Sequence, residues 1–185
     1  MPVKPDHWIA EMALKNRMIE PFAREQVRSG ISFGVSCYGY DFRLADEFKL
    51  LNLDRIKEID PKQAVADQWL DLRADSVVIP ANSYILARSL EYFRIPRSVI
   101  TICTGKSTYA RSGLVVNVTP FEPEWEGFAT LSLSNTAPVP VRVYAGEGIA
   151  QLLFLEGSEE CHQSYKDKKG KYQKQTEITL SKPDR

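Results

Sequence analysis

Residues 128–135 read Phe-Ala-Thr-Leu-Ser-Leu-Ser-Asn, and from Ala129 to Ser134 apolar and hydroxyl side chains alternate without a break. Successive side chains of a strand point to opposite faces, so Ala129, Leu131 and Leu133 share one face and Thr130, Ser132 and Ser134 the other. One face suits a core and the other a polar surface. Outward from this stretch, short alternating or apolar runs separated by turn residues occupy 31–38, 47–51, 76–80, 83–89, 98–103, 114–119, 141–145 and 149–155. Such spacing predicts a mainly β fold, a mostly antiparallel barrel or sandwich. Prolines 80, 96, 120, 123, 138 and 140 punctuate the runs where no ladder hydrogen bond has to be donated. Ahead of the strands, Asp6 can cap a helix that places Trp8, Ile9, Met12 and Ala13 on one face and ends near Asn16. A second helical turn is expected within 19–28, and 67–75 is too mixed to assign.

The chain has 185 residues, 43% of them hydrophobic, enough for one domain with a real core, and no internal repeat divides it. Twenty-four basic and twenty-four acidic residues cancel, so no overall field gathers a nucleic-acid polymer or an anionic membrane. The N-terminus lacks the apolar core of a signal peptide, and no apolar run reaches the roughly 18 residues of a membrane span. Cys37, Cys103 and Cys161 are odd in number and widely spaced, which fits a reducing compartment. A cytoplasmic protein is expected.

Any phosphate must therefore be met by local charge, and one stretch concentrates it. Thr104-Gly105-Lys106-Ser107-Thr108-Tyr109-Ala110-Arg111-Ser112-Gly113 combines cations, hydroxyls and turn glycines, and Glu122-Pro123-Glu124-Trp125-Glu126-Gly127 follows with acids. A polyanionic small molecule wants a lysine point charge, hydroxyl donors and strand-end amides gathered together. Gly105-Lys106-Ser107 is not a Walker loop, because Ile100 stands where that motif needs glycine. The two histidines, His7 and His162, and the scattered cysteines do not supply the ligand set of a zinc-dependent deaminase. No zinc site is expected. After Glu159, Lys166, Lys168, Lys169, Lys171 and Lys174 surround Gly170, giving either a frayed terminus or a flap over phosphate.

Seven ordered motifs together resemble one family. They are Tyr38-Gly39-Tyr40-Asp41-Phe42-Arg43, Glu91-Tyr92-Phe93-Arg94-Ile95-Pro96, Gly105 to Arg111, Asn117-Val118-Thr119-Pro120, Glu122 to Gly127, Leu133-Ser134-Asn135-Thr136 and Gly170-Lys171-Tyr172-Gln173. The chain is similar, nearly end to end, to the zinc-free dCTP deaminases of bacteria. The resemblance implies a distorted β-barrel or jelly roll of the dUTPase-like, β-clip type with a short N-terminal helix. It also implies a homotrimer with sites at subunit boundaries, and a single domain over 1–185 whose residues 160–185 form a flexible flap.

The activity implied is hydrolytic deamination of dCTP to dUTP and ammonia in dUTP and dTTP biosynthesis, with magnesium carried by the triphosphate. Carried over by position, Lys106, Ser107 and Thr108 surround the triphosphate and attacking water, and Arg111 sits beside water and cytosine. Glu122 faces the sugar hydroxyl, Thr130 lines the substrate, and Tyr165, Lys171 and Gln175 cover the nucleotide, with Lys171 facing phosphate. Tyr38 and Tyr40 suit either the core or the site, and the core reading is favoured because most large aromatics are buried.

One departure stands out. Where the family places its proton-shuttling glutamate, in a stretch that usually reads Thr-Leu-Glu-x-Ser-Asn, this chain has Thr130-Leu131-Ser132-Leu133-Ser134-Asn135, with Ser132 at the catalytic position. Three readings follow. The chain is a dCTP deaminase slowed by Ser132 or using another acid such as Glu124 or Glu126; or it binds dCTP, dUTP or dTTP without chemistry; or it is a dUTP diphosphohydrolase in which Glu122 orients water onto phosphorus.

Overall fold

The computed structural model describes residues 2–183. Helix α1, Asp6–Asn16, follows an extended Pro5. Asp6 proves to be its first residue rather than its cap, and its carboxylate accepts the His7 amide at 2.7 Å. The apolar stripe is real: Ile9 and Ala13 are buried, and Trp8 packs against Phe154 at 6.2 Å between ring centroids.

Residues 19–28 form no helical turn. Ile19–Glu20 is a short strand, β1, because Pro21 pushes the residue before it away from helical backbone and Ile19 is fully buried. Strand β2, Gly34–Ser36, lies within the 31–38 run and turns at Cys37 and Tyr38 into β3, Gly39–Leu51, a long strand that extends the 47–51 run back to Gly39. The turn explains the tyrosines. Tyr40 is fully buried as expected, whereas Tyr38 at the hairpin tip is 57% exposed and belongs to no core. The unassigned segment is strand β4, Trp69–Arg73, paired with the end of β3. Its apolar side chains stay half in solvent, Leu70 being 52% exposed, so it gave only a weak period-two signal.

The remaining strands are β5 (Ser76–Ile79), β6 (Tyr84–Arg94), β7 (Val99–Gly105), β8 (Leu114–Asn117), β9 (Glu126–Asn135), β10 (Val141–Tyr144) and β11 (Gly148–Glu156). A single-turn helix, α2 (Ser107–Ala110), joins β7 to β8. The main sheet runs β7-β11-β3-β6-β9-β8, with β1 on β6, β2 and β4 on β3, and β10 with β5 apart. Its strand pairs are antiparallel. The two ends of the order meet: a Cβ on Gly105 of β7 would stand 3.8 Å from Val116 of β8, so the sheet almost closes into a barrel.

Inside lie Tyr40, Phe42, Phe48, Phe93 and Phe154 with the inward residues of β6, β9 and β11. A buried carboxylate, Glu91, accepts from the Arg43 amide and Nε at 2.8 Å and from the Tyr40 hydroxyl at 3.4 Å. At the end of β9, the Asn135 side-chain Nδ2 donates to the carbonyls of Ile79, Pro80 and Val139. Among the described residues no helix is long and apolar enough to cross a membrane.

Candidate functional site

Along β9 burial alternates at every residue, as the opening stretch predicted: Ala129, Leu131 and Leu133 are buried and Thr130, Ser132 and Ser134 half-buried. The polar face forms the floor of a cleft. Ser132 lies between Leu86 on β6 and Asn117 on β8, its direct cross-strand partners, and all three line the cleft. Its volume is about 420 Å³, and one wall is the segment Val118 to Glu122 with Trp125. That volume lies within the range of small-molecule sites.

Another wall is the C-terminal tail, which is folded onto its own barrel largely through backbone. The Tyr165 amide donates to Pro123 O at 3.0 Å, the Lys174 amide to Glu126 O at 2.8 Å, and the Phe128 amide to Gln175 O at 2.9 Å. Trp125 Nε1 donates to Tyr172 O at 2.9 Å, and the Tyr172 amide to the Tyr165 hydroxyl at 3.0 Å. Two glycines permit this. Gly127 has φ +148°, and a Cβ there would lie 2.8 Å from the Gln175 nitrogen, while a Cβ on Gly170 would lie 2.2 Å from the Tyr165 ring.

Of the residues named from sequence, Glu122, Thr130, Ser132, Tyr165 and Gln175 meet in this cleft. Thr130 Oγ1 accepts the Thr179 amide at 3.1 Å and donates to Gln175 Oε1 at 3.4 Å, tying floor to tail. Lys106, Ser107, Thr108, Arg111 and Lys171 do not line it. Ser107, Thr108 and Arg111 stand exposed on and beside α2, where Arg111 Nη1 donates to Ser107 O at 2.9 Å. Buried Tyr109 anchors that turn, its hydroxyl accepting the Tyr144 amide at 3.1 Å. Lys171 lies with Nζ 5.5 Å from the Tyr172 ring centroid.

Lys106 is held. Its ammonium pairs with Asp41, a buried carboxylate that also accepts from Gln26 and Gln151. Glu124 and Glu126, weighed as substitute acids, line a smaller pocket rather than the cleft. Glu124 binds Arg97 at 2.6 Å, and Glu126 faces Lys174 at 3.4 Å and Arg94 at 3.9 Å. Hydrogen bonds from Ser164 and then Arg97 hold the Glu124 carboxyl below its ordinary value, the wrong direction for a proton shuttle near neutrality.

The cleft thus offers one carboxylate, Glu122, several hydroxyls and amides, aromatic walls, and no lysine or arginine among its lining residues. It suits an uncharged ring and sugar better than a triphosphate. Sequence reasoning did not single out Asn117, Asp41 or Thr179. Asn117 and Asp41 each lay inside a quoted motif, but only the β8–β9 register places Asn117 beside Ser132.

A family model described as dCTP deaminase-like matches residues 3–157 of this chain. The chain belongs to the dCTP deaminase-like family. Among this family's proteins, the dCTP deaminase of Acidobacterium capsulatum is 58% identical over 183 residues, 98% of this chain and 100% of the relative. That of Ralstonia pickettii is 54% identical over 187 residues, again covering 98% and 100%. In structure, the 2'-deoxycytidine 5'-triphosphate deaminase from Agrobacterium tumefaciens matches with TM-score 0.66 at 15% identity over 84% of this chain. This chain spans 48% of that one, and the likeness supports the fold alone.

Proposed function

We propose that this chain is a dCTP deaminase that converts dCTP to dUTP and ammonia, supplying dUTP for dTTP synthesis, at a rate reduced by Ser132. The observation that carries the reading is the end-to-end match to relatives named dCTP deaminase. The cleft agrees with it in chemistry, having a polar strand face below, aromatic walls beside and Glu122 at the rim to accept from a sugar hydroxyl.

A triphosphate needs cations that are not among this cleft's lining residues, while Ser107, Thr108 and Arg111 stand exposed on and beside α2 of the same chain. We infer a homotrimer in which α2 of one protomer completes the cleft of its neighbour, bringing Arg111 to the water and base and the hydroxyls to phosphate. Exposed Ile102 on β7 and Val115 on β8, flanking α2, are apolar surface available for such a contact. Lys171, on the tail, serves phosphate in the closed site. Magnesium fits this set as a passenger of the phosphates: it keeps most of its water shell and asks few protein ligands, and the rim offers one carboxylate. When bound it neutralises phosphate charge. The free cysteines Cys37, Cys103 and Cys161 support a cytoplasmic setting.

Deamination requires a group that takes a proton from water as it attacks C4 and then delivers protons to N3 and the leaving amine. The Ser132 hydroxyl is well placed on the floor but cannot hold that proton near neutral pH. It can still accept from or donate to the water and orient it. Loss of a general acid–base typically slows a reaction about 10²–10⁴-fold, while ground-state binding rests on contacts elsewhere. Ammonia release from dCTP with magnesium, measured on the purified chain beside Ser132→Glu, tests the reading. Ammonia from neither protein, or pyrophosphate from dUTP instead, overturns it.

A further inference from the structure

Arg97 lies in the β6–β7 connection, outside the cleft, yet it touches both of the cleft's walls at their bases. Its Nη1 donates to Glu124 at 2.6 Å, in the turn that carries Glu122 and Trp125, and lies 2.9 Å from Asp167 Oδ2, in the tail that carries Tyr165, Tyr172 and Gln175. Its Nη2 donates to the carbonyls of Cys161 and His162 at 3.2 and 3.1 Å, at the point where the tail leaves the barrel. One planar guanidinium therefore joins three segments, and its fixed fork suits this better than a lysine point charge would.

The local backbone is shaped around the contact. Glu124 adopts φ +61°, uncommon for a side chain with a Cβ, and this places its carboxylate on Arg97. Asp167 is itself set by a reciprocal pair with Ser164, each backbone amide donating to the other's side chain at 3.0 and 3.2 Å. Two carboxylates, one from each wall, thus converge on one nitrogen. Without the cation they would face each other as like charges.

We propose that Arg97 is the latch that holds the C-terminal tail closed over the cleft, a positioning residue for nucleotide binding. Its removal does more than delete hydrogen bonds, because it turns an attraction between the walls into repulsion. The role in binding rests on the nucleotide site proposed above, whereas the latch itself can be measured without any ligand.

Hydrogen exchange on the free, full-length protein decides the first point. In Arg97→Gln, the amides of Tyr172 and Lys174 are expected to exchange about tenfold faster, with β6 and β9 unchanged, as loss of a charge-assisted contact at a part-exposed site implies. Adding Asp167→Asn removes one of the facing charges and is expected to restore part of the protection. Calorimetry with magnesium and dCTP decides the second point, with affinity falling about tenfold in Arg97→Gln and less in the double variant. Unchanged tail exchange in Arg97→Gln overturns the latch. A released tail with undiminished dCTP affinity overturns its role in binding. Should the unaltered protein bind no dCTP, the nucleotide reading fails while the exchange result still decides whether Arg97 holds the tail.

Discussion

The ammonium of Lys106 pairs with the carboxylate of Asp41, and only 11% and 4% of the two side chains is exposed. The pair joins the end of β7 to β3 immediately before α2, the turn that presents Ser107, Thr108 and Arg111. Breaking a buried ion pair leaves an uncompensated charge, which costs about 3–5 kcal/mol. Asp41→Asn and Lys106→Gln are each expected to lower the thermal midpoint strongly, and the double variant to lose much less than the two losses added together. Additive losses would show that the two groups act independently.

Restoring a carboxylate at the floor of the cleft, Ser132→Glu, is expected to raise dCTP deamination by at least about a hundredfold. Leu86 and Asn117 flank the position without closing it, so the longer side chain has cleft volume to enter. Ammonia release measures the gain. An equal rate in both proteins would place the proton shuttle somewhere other than residue 132.

Arg111 is exposed and its Nη1 donates to a nearby backbone carbonyl, so Arg111→Ala should leave the unfolding free energy within about 0.5 kcal/mol of the parent, as surface changes do. Turnover should nonetheless vanish and nucleotide affinity fall, as the proposed completion of a neighbour's cleft by α2 requires. Full activity in this variant would refute the assignment of the whole 106–111 segment.

Gly170→Ala tests the tail from within. The added methyl would stand 2.2 Å from the Tyr165 ring, so the ring or the tail must move. Tyr165 lines the cleft and packs at the edge of the core, so the expected effect is a weaker nucleotide site with the barrel's melting transition nearly unchanged. Titration of nucleotide against Trp125 fluorescence checks it.

Acid should act through Glu47. A side-chain hydrogen bond from Arg88, aided by Arg73, holds its carboxyl at about 2 against the ordinary 4.5. A depressed value means that the folded state favours the charged form. Its contribution is complete above the unfolded value and is lost as pH falls from about 4.5 toward 2. Glu47→Gln should therefore flatten the fall in stability across that window and change little above it, as acid melts of both proteins would reveal.

Strand periodicity carried most of the barrel into view, and β9 shows why. Each of its residues alternates between a hydrocarbon core and a polar cleft, so both environments write themselves into the sequence. β4 was illegible for the opposite reason: at the margin of the sheet Leu70 and Leu72 are partly exposed, and alternation carries little energy there. Pro21 was the available clue against a helical turn at 19–28. As for the site, local motifs pointed to both Ser132 and Arg111 but could not show that only the first of them lines the cleft of its own chain. That separation depends on how β8, β9 and the tail pair, through contacts between distant residues such as Phe128 with Gln175. The Lys106–Asp41 pair spans 65 positions and was invisible for the same reason.

The two-sided character of β9 has an evolutionary corollary. Folding depends on Ala129, Leu131 and Leu133, whereas the identity of the residue at 132 hardly concerns the barrel. Substitutions at that site can therefore accumulate unseen by the cell's machinery for discarding misfolded chains, and an enzyme can drift toward being a nucleotide receptor while its architecture persists intact.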